Sequence, residues 1–179
     1  MLDAVNRRRS QPKVTEAAPS HDELLPLVAA AAGVADHGSL RPWRLIELRG
    51  DARERLGTAF VAATSVDGKE AAKLAGKPLR ASLLIAVVVT HRPSFKVAEW
   101  EQDAVASGVA HTLSLLLDEA GWGVMWRTGH LTRTAPVRAM HQLDDNEELL
   151  GWLYIGGLHD DAKKGEKKTV NAREFVTQL

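Results

Sequence analysis

Two largely apolar stretches of the chain predict core strands, and the first of them predicts a strand that is covered on both faces. Leu83–Val89 is continuously apolar and β-branched towards its end, which is the pattern of a buried strand. Leu149–Ile155 is a second apolar stretch and is followed by two glycines. Two shorter strands are predicted at Trp43–Leu48, from its alternation, and at Val124–Trp126, after a stop at Gly121-Trp122-Gly123.

Helical periodicity lies between these strands. The longest periodic segment is Glu99–Ala120, whose apolar residues recur on one face and predict a long central or interface helix. Ser20 followed by Glu23 predicts a capping box at the start of a helix that ends near Gly33. The other predicted helices are Met1–Asn6, Asp51–Ala63 with Asp51 as its cap, Asp67–Ala75 and Thr134–His141.

Three connecting segments complete the predicted organisation. Residues 11–19 contain two prolines and are predicted to be extended, and residues 34–42 form a polar loop closed by a proline. The tail from His159 is lysine-rich and then ends on apolar residues, a pattern typical of an arm that docks elsewhere. Because helices and strands are intermixed without a regular βαβ order, we expect an α+β fold in one domain, residues 1–179. Residues 159–179 are then expected to dock on a partner subunit.

Composition excludes several classes of function. The chain of 179 residues carries 23 Lys and Arg against 23 Asp and Glu, so no net charge attracts nucleic acid or an anionic membrane. It has no cysteine, which excludes disulfides, thiolate metal sites and thiol nucleophiles. The basic N-terminal run has no apolar stretch after it, unlike a signal peptide, and no apolar run is long enough to cross a bilayer. We therefore expect a soluble, cytoplasmic protein.

The N-terminal basic run is the first candidate for chemistry. Arg7, Arg8, Arg9 and Ser10 follow one another where the first helix is predicted to end. The planar fork of arginine beside a serine hydroxyl can clamp a phosphate. A solvated basic run is the commoner interpretation of such a cluster taken alone, so both interpretations stay open at this point.

A polar loop is the second candidate. It places Asp36, His37, Ser39 and Arg41 directly before Pro42. Loops of this kind often line ligand sites on a rigid scaffold. An ordinary connection, in which Asp36 or Ser39 binds local backbone groups, fits the pattern equally well.

An arginine at the end of a buried strand is the third candidate. Trp126, Arg127 and Thr128 follow the apolar residues of the strand near position 124. A buried guanidinium needs an anion, because burial without a partner is costly. The anion can belong to a ligand or to a structural carboxylate of the chain, and the local sequence favours neither.

Common catalytic and metal-binding motifs are absent. The histidines show no HxH or HExxH spacing, so we predict no metal site. The chain also has no GxGxxG, P-loop or GxSxG motif. His111 lies within the longest predicted helix and is interpreted as a core or interface histidine. The acidic residues Glu99 and Glu101 are explained by their place at a helix start.

Five short motifs, taken in order, resemble the nitroreductase family of FMN flavoproteins and its short bacterial members. They are Arg8-Arg9-Ser10, Asp36-His37-Gly38-Ser39 with Pro42-Trp43, Trp100-Glu101-Gln102, Trp126-Arg127-Thr128-Gly129 and Gly151-Trp152-Leu153-Tyr154-Ile155-Gly156. The resemblance spans roughly residues 5–157. Ala35 and Arg41 depart from the proline and glutamine common in relatives, and we expect such changes to affect substrate preference.

The resemblance implies a nitroreductase-like fold, with a mixed or antiparallel central sheet flanked by helices in an intertwined homodimer that binds FMN between its subunits. It assigns cofactor-binding roles, with no protein catalytic residue, to Arg8, Arg9, Ser10, His37, Ser39, Arg41, Trp126, Arg127 and Thr128. His37 would reach the flavin of the other subunit. NADH or NADPH would reduce the flavin, which would then reduce a nitroaromatic, quinone or similar acceptor in a ping-pong reaction. The alternative is a protein of the same fold that sequesters a flavin or nucleotide without turnover.

Overall fold

Four strands build one antiparallel sheet in the computed structural model, which describes residues 2–162 and 170–179. In chain order they are β1 (Trp43–Leu48), β2 (Leu83–Thr90), β3 (Trp122–Arg127) and β4 (Glu147–Gly157). The order across the sheet is β1-β2-β4-β3, so the two apolar strands β2 and β4 are central. Every residue from Leu83 to Val89 is fully buried, which confirms the prediction of a strand covered on both faces.

Helices cover both faces of this sheet. They are α1 (Leu2–Arg7), α2 (His21–Ala31), α3 (Asp51–Ala62), α4 (Gly68–Ala75), α5 (Glu99–Glu119) and α6 (Ala135–Met140). The side chains of β2 alternate between two cores. Ile85 packs with α2 and α5, whereas Leu84 packs with α3, α4 and α6. The α+β class is confirmed, and the central sheet is antiparallel.

Several predicted boundaries differ from the structure by a few residues, and three of them have clear local reasons. Gly121 takes a φ of +86° and completes the turn after α5, so Trp122 is already paired with Gly157 and belongs to β3. β4 begins at Glu147, two residues before the apolar stretch, because Glu147 pairs with the end of β2. Gly50, with a φ of +48°, is the N-cap of α3, so Asp51 is the first helical residue and not the cap. The capping box of α2 is confirmed, with Glu23 N–H donating to the Ser20 hydroxyl at 3.2 Å.

The segment after α1 follows the free edge of β3. Ser10 forms a parallel bridge with Val124, and Gln11 N–H donates to the carbonyl of Val124 at 2.9 Å. Further along, Thr15 N–H donates to the carbonyl of Gly157 at 2.8 Å. The predicted extended connector is therefore an ordered strip that pairs with the edge strand β3 at Val124 and then with the end of the central strand β4.

The described part of the C-terminal tail is exposed. Val170, Phe175 and Val176 keep 70% or more of their surface in solvent. The lysine-rich start of the predicted arm, residues 163–169, and Met1 of the first predicted helix lie outside the described residues. Docking of the arm on a partner stays a prediction. Across residues 2–162 and 170–179, no helix is long and apolar enough to span a membrane.

Candidate functional site

A basic pocket of about 220 Å³ opens beside the sheet, on the face that carries α3 and α4. Four of its lining residues carry basic groups, namely Lys77, Arg80, Arg127 and His130. Aromatic side chains form much of the remaining wall: Phe60, Trp152 and Tyr154. No carboxylate is among the described residues that line the pocket. A cavity with several cations and an apolar wall favours an anionic ligand that has a flat apolar part.

Arg127 reaches this pocket from the last position of β3. Its guanidinium lies 5.0 Å from the ring centroid of Tyr154, at cation–π distance. Burial raises the pKa of Tyr154 to about 12, so the phenol beside the guanidinium stays neutral at physiological pH. The Nε atom of Arg127 is buried and has no hydrogen-bond partner among the described residues. A buried donor without a partner costs about 1–3 kcal/mol, which a bound anion would recover.

Trp126 lies on the opposite face of β3 from Arg127. Its indole meets the His111 ring edge to face, with centroids 5.0 Å apart, and its Nε1 is buried without a hydrogen-bond partner among the described residues. Since His111 is exposed on α5, the prediction of a core histidine is wrong for the isolated chain. An interface role for His111 stays a prediction. The next predicted site residue, Thr128, is exposed and lines the basic pocket.

Gly151 allows the end of β3 to lie close against β4. Its φ is +139°, a conformation that side chains rarely adopt. A Cβ at this position would lie 2.9 Å from Trp126 Nε1 and would overlap the carbonyl oxygen of Arg127. The glycine of the closing sequence motif therefore sets the position of the residues that border the pocket.

The N-terminal cluster lies at the other end of β3 from the pocket. Arg7 pairs with Asp118 and Glu119 at the C-terminal end of α5. Arg9 turns back onto its own segment, where Nη1 donates to the carbonyl oxygens of Asn6, Arg7 and Arg8 at 2.5, 3.0 and 3.1 Å. Arg8 is half-buried and Ser10 is exposed. Ser10 pairs with β3 three residues before Arg127, at a spacing of about 10 Å.

The loop that carries His37, Ser39 and Arg41 is built around Asp36. The Asp36 carboxylate accepts backbone N–H groups from Leu40 at 3.2 Å and from Arg41 at 2.7 Å. The local backbone role proposed for Asp36 is thus confirmed. Ser39 and Arg41 both have left-handed backbones, with φ of 52° and 48°. Strain of this kind in non-glycine residues is concentrated at functional sites.

His37 contacts the first turn of α5. Its Nδ1 lies 2.9 Å from Glu101 Oε2, and its side chain is 56% exposed. The hydrogen bond from His37 holds the pKa of the Glu101 carboxyl below its usual value. Glu101 also accepts the backbone N–H of Ala98 at 3.1 Å, which attaches the pair to the start of the helix.

The nine predicted cofactor residues thus form separate groups within one chain. Helix α5 contacts His37 near one end through Glu101 and Arg7 near the other end through Asp118. Glu101 and Asp118 are about 25 Å apart along the helix axis at 1.5 Å per residue. The structure places Ser10 beside the strand that ends at Arg127, but it does not bring His37 to that strand.

Sequence reasoning missed three basic residues of the pocket: Lys77, Arg80 and His130. The first two flank Pro78 just before β2, and His130 begins the turn after β3. Only tertiary folding brings these segments together. Among residues 2–162 and 170–179, no cluster of three or more His, Asp or Glu side chains could hold a metal ion.

Comparison with known proteins gives a consistent result. The sequence profile of the nitroreductase family matches residues 5–157. "Putative NAD(P)H nitroreductase YdjA" of Escherichia coli K12 is 30% identical over 158 residues, covering 87% of this chain and 86% of that protein.

Solved structures show the same fold. A nitroreductase-like family protein from Bacillus cereus superposes with a TM-score of 0.85 at 24% identity, covering 99% of this chain and 95% of that one. An FMN-dependent nitroreductase from Clostridium difficile superposes with a TM-score of 0.74 at 19% identity, covering 100% and 99% of the two chains.

Proposed function

The chain belongs to the nitroreductase family, and from this premise we propose that it is an FMN-dependent NAD(P)H oxidoreductase. The observation that carries the proposal is the basic pocket, in which Arg127 has a buried Nε without a partner among the described residues. Two relatives support the choice of cofactor and donor. One solved structure of the same fold is an FMN-dependent nitroreductase, and a relative at 30% identity has NAD(P)H in its name.

The residues around the pocket fit a phosphate-bearing flavin. Lys77, Arg80 and Arg127 supply positive charge without a competing carboxylate in the pocket lining, and the aromatic wall suits a planar ring. We assign Arg127 and Thr128 to the phosphate side of the cofactor. Arg8, Arg9 and Ser10 lie towards the other end of β3, and the spacing of about 10 Å between the position of Ser10 and Arg127 along β3 is one that an extended cofactor can span. Trp126 borders this region from the opposite face of β3.

We propose that His37, Ser39 and Arg41 complete the site of a second subunit. This is supported by the position of their loop at the far end of α5 from Arg7. It is also supported by the exposed apolar tail, where Phe175 is 75% exposed. A homodimer would bring such a loop to the partner's pocket and give the tail a surface to cover.

FMN, when bound, would accept reducing equivalents from NADH or NADPH and pass them to an organic acceptor such as a nitroaromatic or a quinone. The protein groups would bind and orient the cofactor. Arg127 and its neighbours hold negative charge at one end of the pocket. Tyr154, kept neutral by a pKa raised to about 12, supplies a ring surface under the guanidinium. No side chain is assigned as a catalytic acid, base or nucleophile.

The direct test is to purify the protein and measure bound flavin. The flavin should then be reduced by NADH or NADPH under anaerobic conditions and reoxidised by a nitroaromatic or a quinone. Parallel lines in the double-reciprocal plots would support the ping-pong order. Bound flavin that neither nicotinamide reduces would favour a sequestering protein, and a chain with no affinity for flavin would refute the proposal.

A further inference from the structure

Glu101 of the motif Trp100-Glu101-Gln102 contacts His37, but no function has yet been assigned to this motif. We propose that Glu101 is a positioning residue that fixes the orientation and tautomer of His37, so that Nε2 of His37 accepts a hydrogen bond from the flavin bound by the partner subunit. The choice of flavin as the ligand rests on the proposed function. The contact between Glu101 and His37 is present in the structure whatever the ligand is.

The two oxygens of Glu101 have different partners. Oε1 accepts the backbone N–H of Ala98 at 3.1 Å, and Oε2 lies 2.9 Å from Nδ1 of His37. The first contact ties the carboxylate to the beginning of α5. Because the carboxylate is held on a helix, the imidazole that contacts it is held as well.

Gln102 holds the segment that leads into the same helix. It is 1% exposed, its Oε1 accepts the N–H of Arg92 at 2.8 Å, and its Nε2 donates to the carbonyl of Arg92 at 2.9 Å. Val97 in this segment lies under Gly38, where an added Cβ would be 3.5 Å from the valine side chain. The motif therefore supports both the residues before α5 and the loop that carries His37.

The second ring nitrogen of His37, Nε2, is the atom that is available to bind a ligand. Nδ1 faces an ionised carboxylate, so in the neutral ring it must carry the proton, and Nε2 is then an acceptor. Within the described residues, Nε2 has no hydrogen-bond partner, and the side chain is 56% exposed. The partner's flavin has a ring N–H and ribityl hydroxyls, which are the donors that such an acceptor takes.

A second histidine–carboxylate pair also involves helix α5 and can serve as a control. His91 Nε2 is 2.9 Å from Asp103 Oδ1, which is the same histidine–carboxylate contact without any of the predicted cofactor residues. Asp103→Ala is therefore a matched control for Glu101→Ala. Both variants remove one carboxylate from α5 and release one imidazole.

The experiment is nitrogen-15 NMR of histidine-labelled protein above pH 8, with His37→Asn to assign the signal, together with fluorescence titration of FMN. We expect Nδ1 of His37 to be protonated in the wild type and Nε2 to be protonated in Glu101→Ala. FMN affinity should fall by about 2–10-fold in Glu101→Ala, the size of one neutral hydrogen bond. Glu101→Gln keeps an acceptor oxygen and should restore both properties, and Asp103→Ala should change only the signal of His91.

Each contrary result has a separate meaning. Protonation of Nε2 in the wild type, or no change of tautomer in Glu101→Ala, would overturn the positioning role. A changed tautomer with unchanged FMN affinity would overturn the contact with the flavin. A protein with the expected tautomer but no affinity for FMN would refute the proposed function, and with it the flavin as ligand, while the positioning of His37 by Glu101 would stand.

Discussion

Replacement of Arg127 by methionine should weaken FMN binding strongly while changing the stability of the fold only slightly. Methionine has a similar length and can still pack on the ring of Tyr154, but it has no charge and no N–H group. In the unliganded protein, the buried Nε of Arg127 has no hydrogen-bond partner among the described residues. Its removal should relieve about 1–3 kcal/mol, and loss of the cation–π contact at 5.0 Å should cost about 0.5–2 kcal/mol. The two effects oppose each other, so the free energy of unfolding should change by less than about 2 kcal/mol.

FMN binding should respond much more strongly to the same change. Loss of a hydrogen bond between charged groups costs about 1.5–3 kcal/mol, which corresponds to a Kd for FMN that is about 10–150-fold higher. Riboflavin has no phosphate, so its Kd should stay the same. Flavin fluorescence titrations with FMN and riboflavin, together with urea unfolding of the apoprotein, measure all three quantities.

Arg133→Met is the matched control, because Arg133 is an exposed arginine in the following turn and pairs with Glu148 at 2.7 Å. It does not line the basic pocket. The control variant should bind FMN like the wild type. Equal weakening of FMN and riboflavin by Arg127→Met, or an unchanged Kd for FMN, would refute the assignment of Arg127 to the phosphate.

Three further predictions concern stability and assembly. The Arg44 guanidinium holds the pKa of buried Glu147 below its usual value, so this pair stabilises the fold above about pH 4.5 and the contribution is lost as pH falls through the folded pKa. Glu147→Gln should lower the free energy of unfolding by about 1.5–3 kcal/mol at pH 7, the contribution of a hydrogen bond to a charged group. The same change should flatten the fall of this free energy towards pH 3 in urea titrations, and an unchanged pH slope would contradict the prediction. Gly151→Ala should lower the free energy of unfolding by about 2–5 kcal/mol, because the alanine is strained and overlaps its neighbours. Gly68→Ala is the control: its φ is +50° but the space around it is open, so it should cost about 1–2 kcal/mol. Equal losses of stability in thermal unfolding would argue against the close approach at Gly151. Phe175→Ser should weaken a homodimer by about 10-fold or more in sedimentation experiments, and an unchanged dimer affinity would exclude the tail from the interface.

The elements that sequence analysis predicts well are those with a strong local pattern. Leu83–Val89 and Glu99–Ala120 are recognisable because continuous apolar residues and helical periodicity are properties of one segment. The boundary at Trp122 is not recognisable, because the tryptophan between two glycines resembles a turn until β4 pairs with it. The burial of Glu147 cannot be predicted from the local sequence either. Its partner Arg44 is far away in the chain, and only the paired strands bring the two together at 2.6 Å.

The candidate site likewise contains residues that the sequence predicts and residues that it does not. Arg127 is predictable because an arginine that ends an apolar strand is unusual in itself. Lys77 and Arg80 lie in a polar stretch that resembles any exposed surface, and their place in the pocket depends on how the turn before β2 packs against α3. The pairing of His37 with Glu101 likewise joins two segments that sequence analysis could treat only as separate motifs.

The strip after α1 gives the sheet a property that the pocket alone would not reveal. Strand β3 is at the edge of the sheet, and an uncovered edge exposes backbone groups to which other chains can pair and aggregate. Ser10 and Gln11 occupy such groups at Val124 of β3, and Thr15 then binds Gly157 at the end of β4. The strip after α1 therefore protects the edge of the sheet against pairing with other chains.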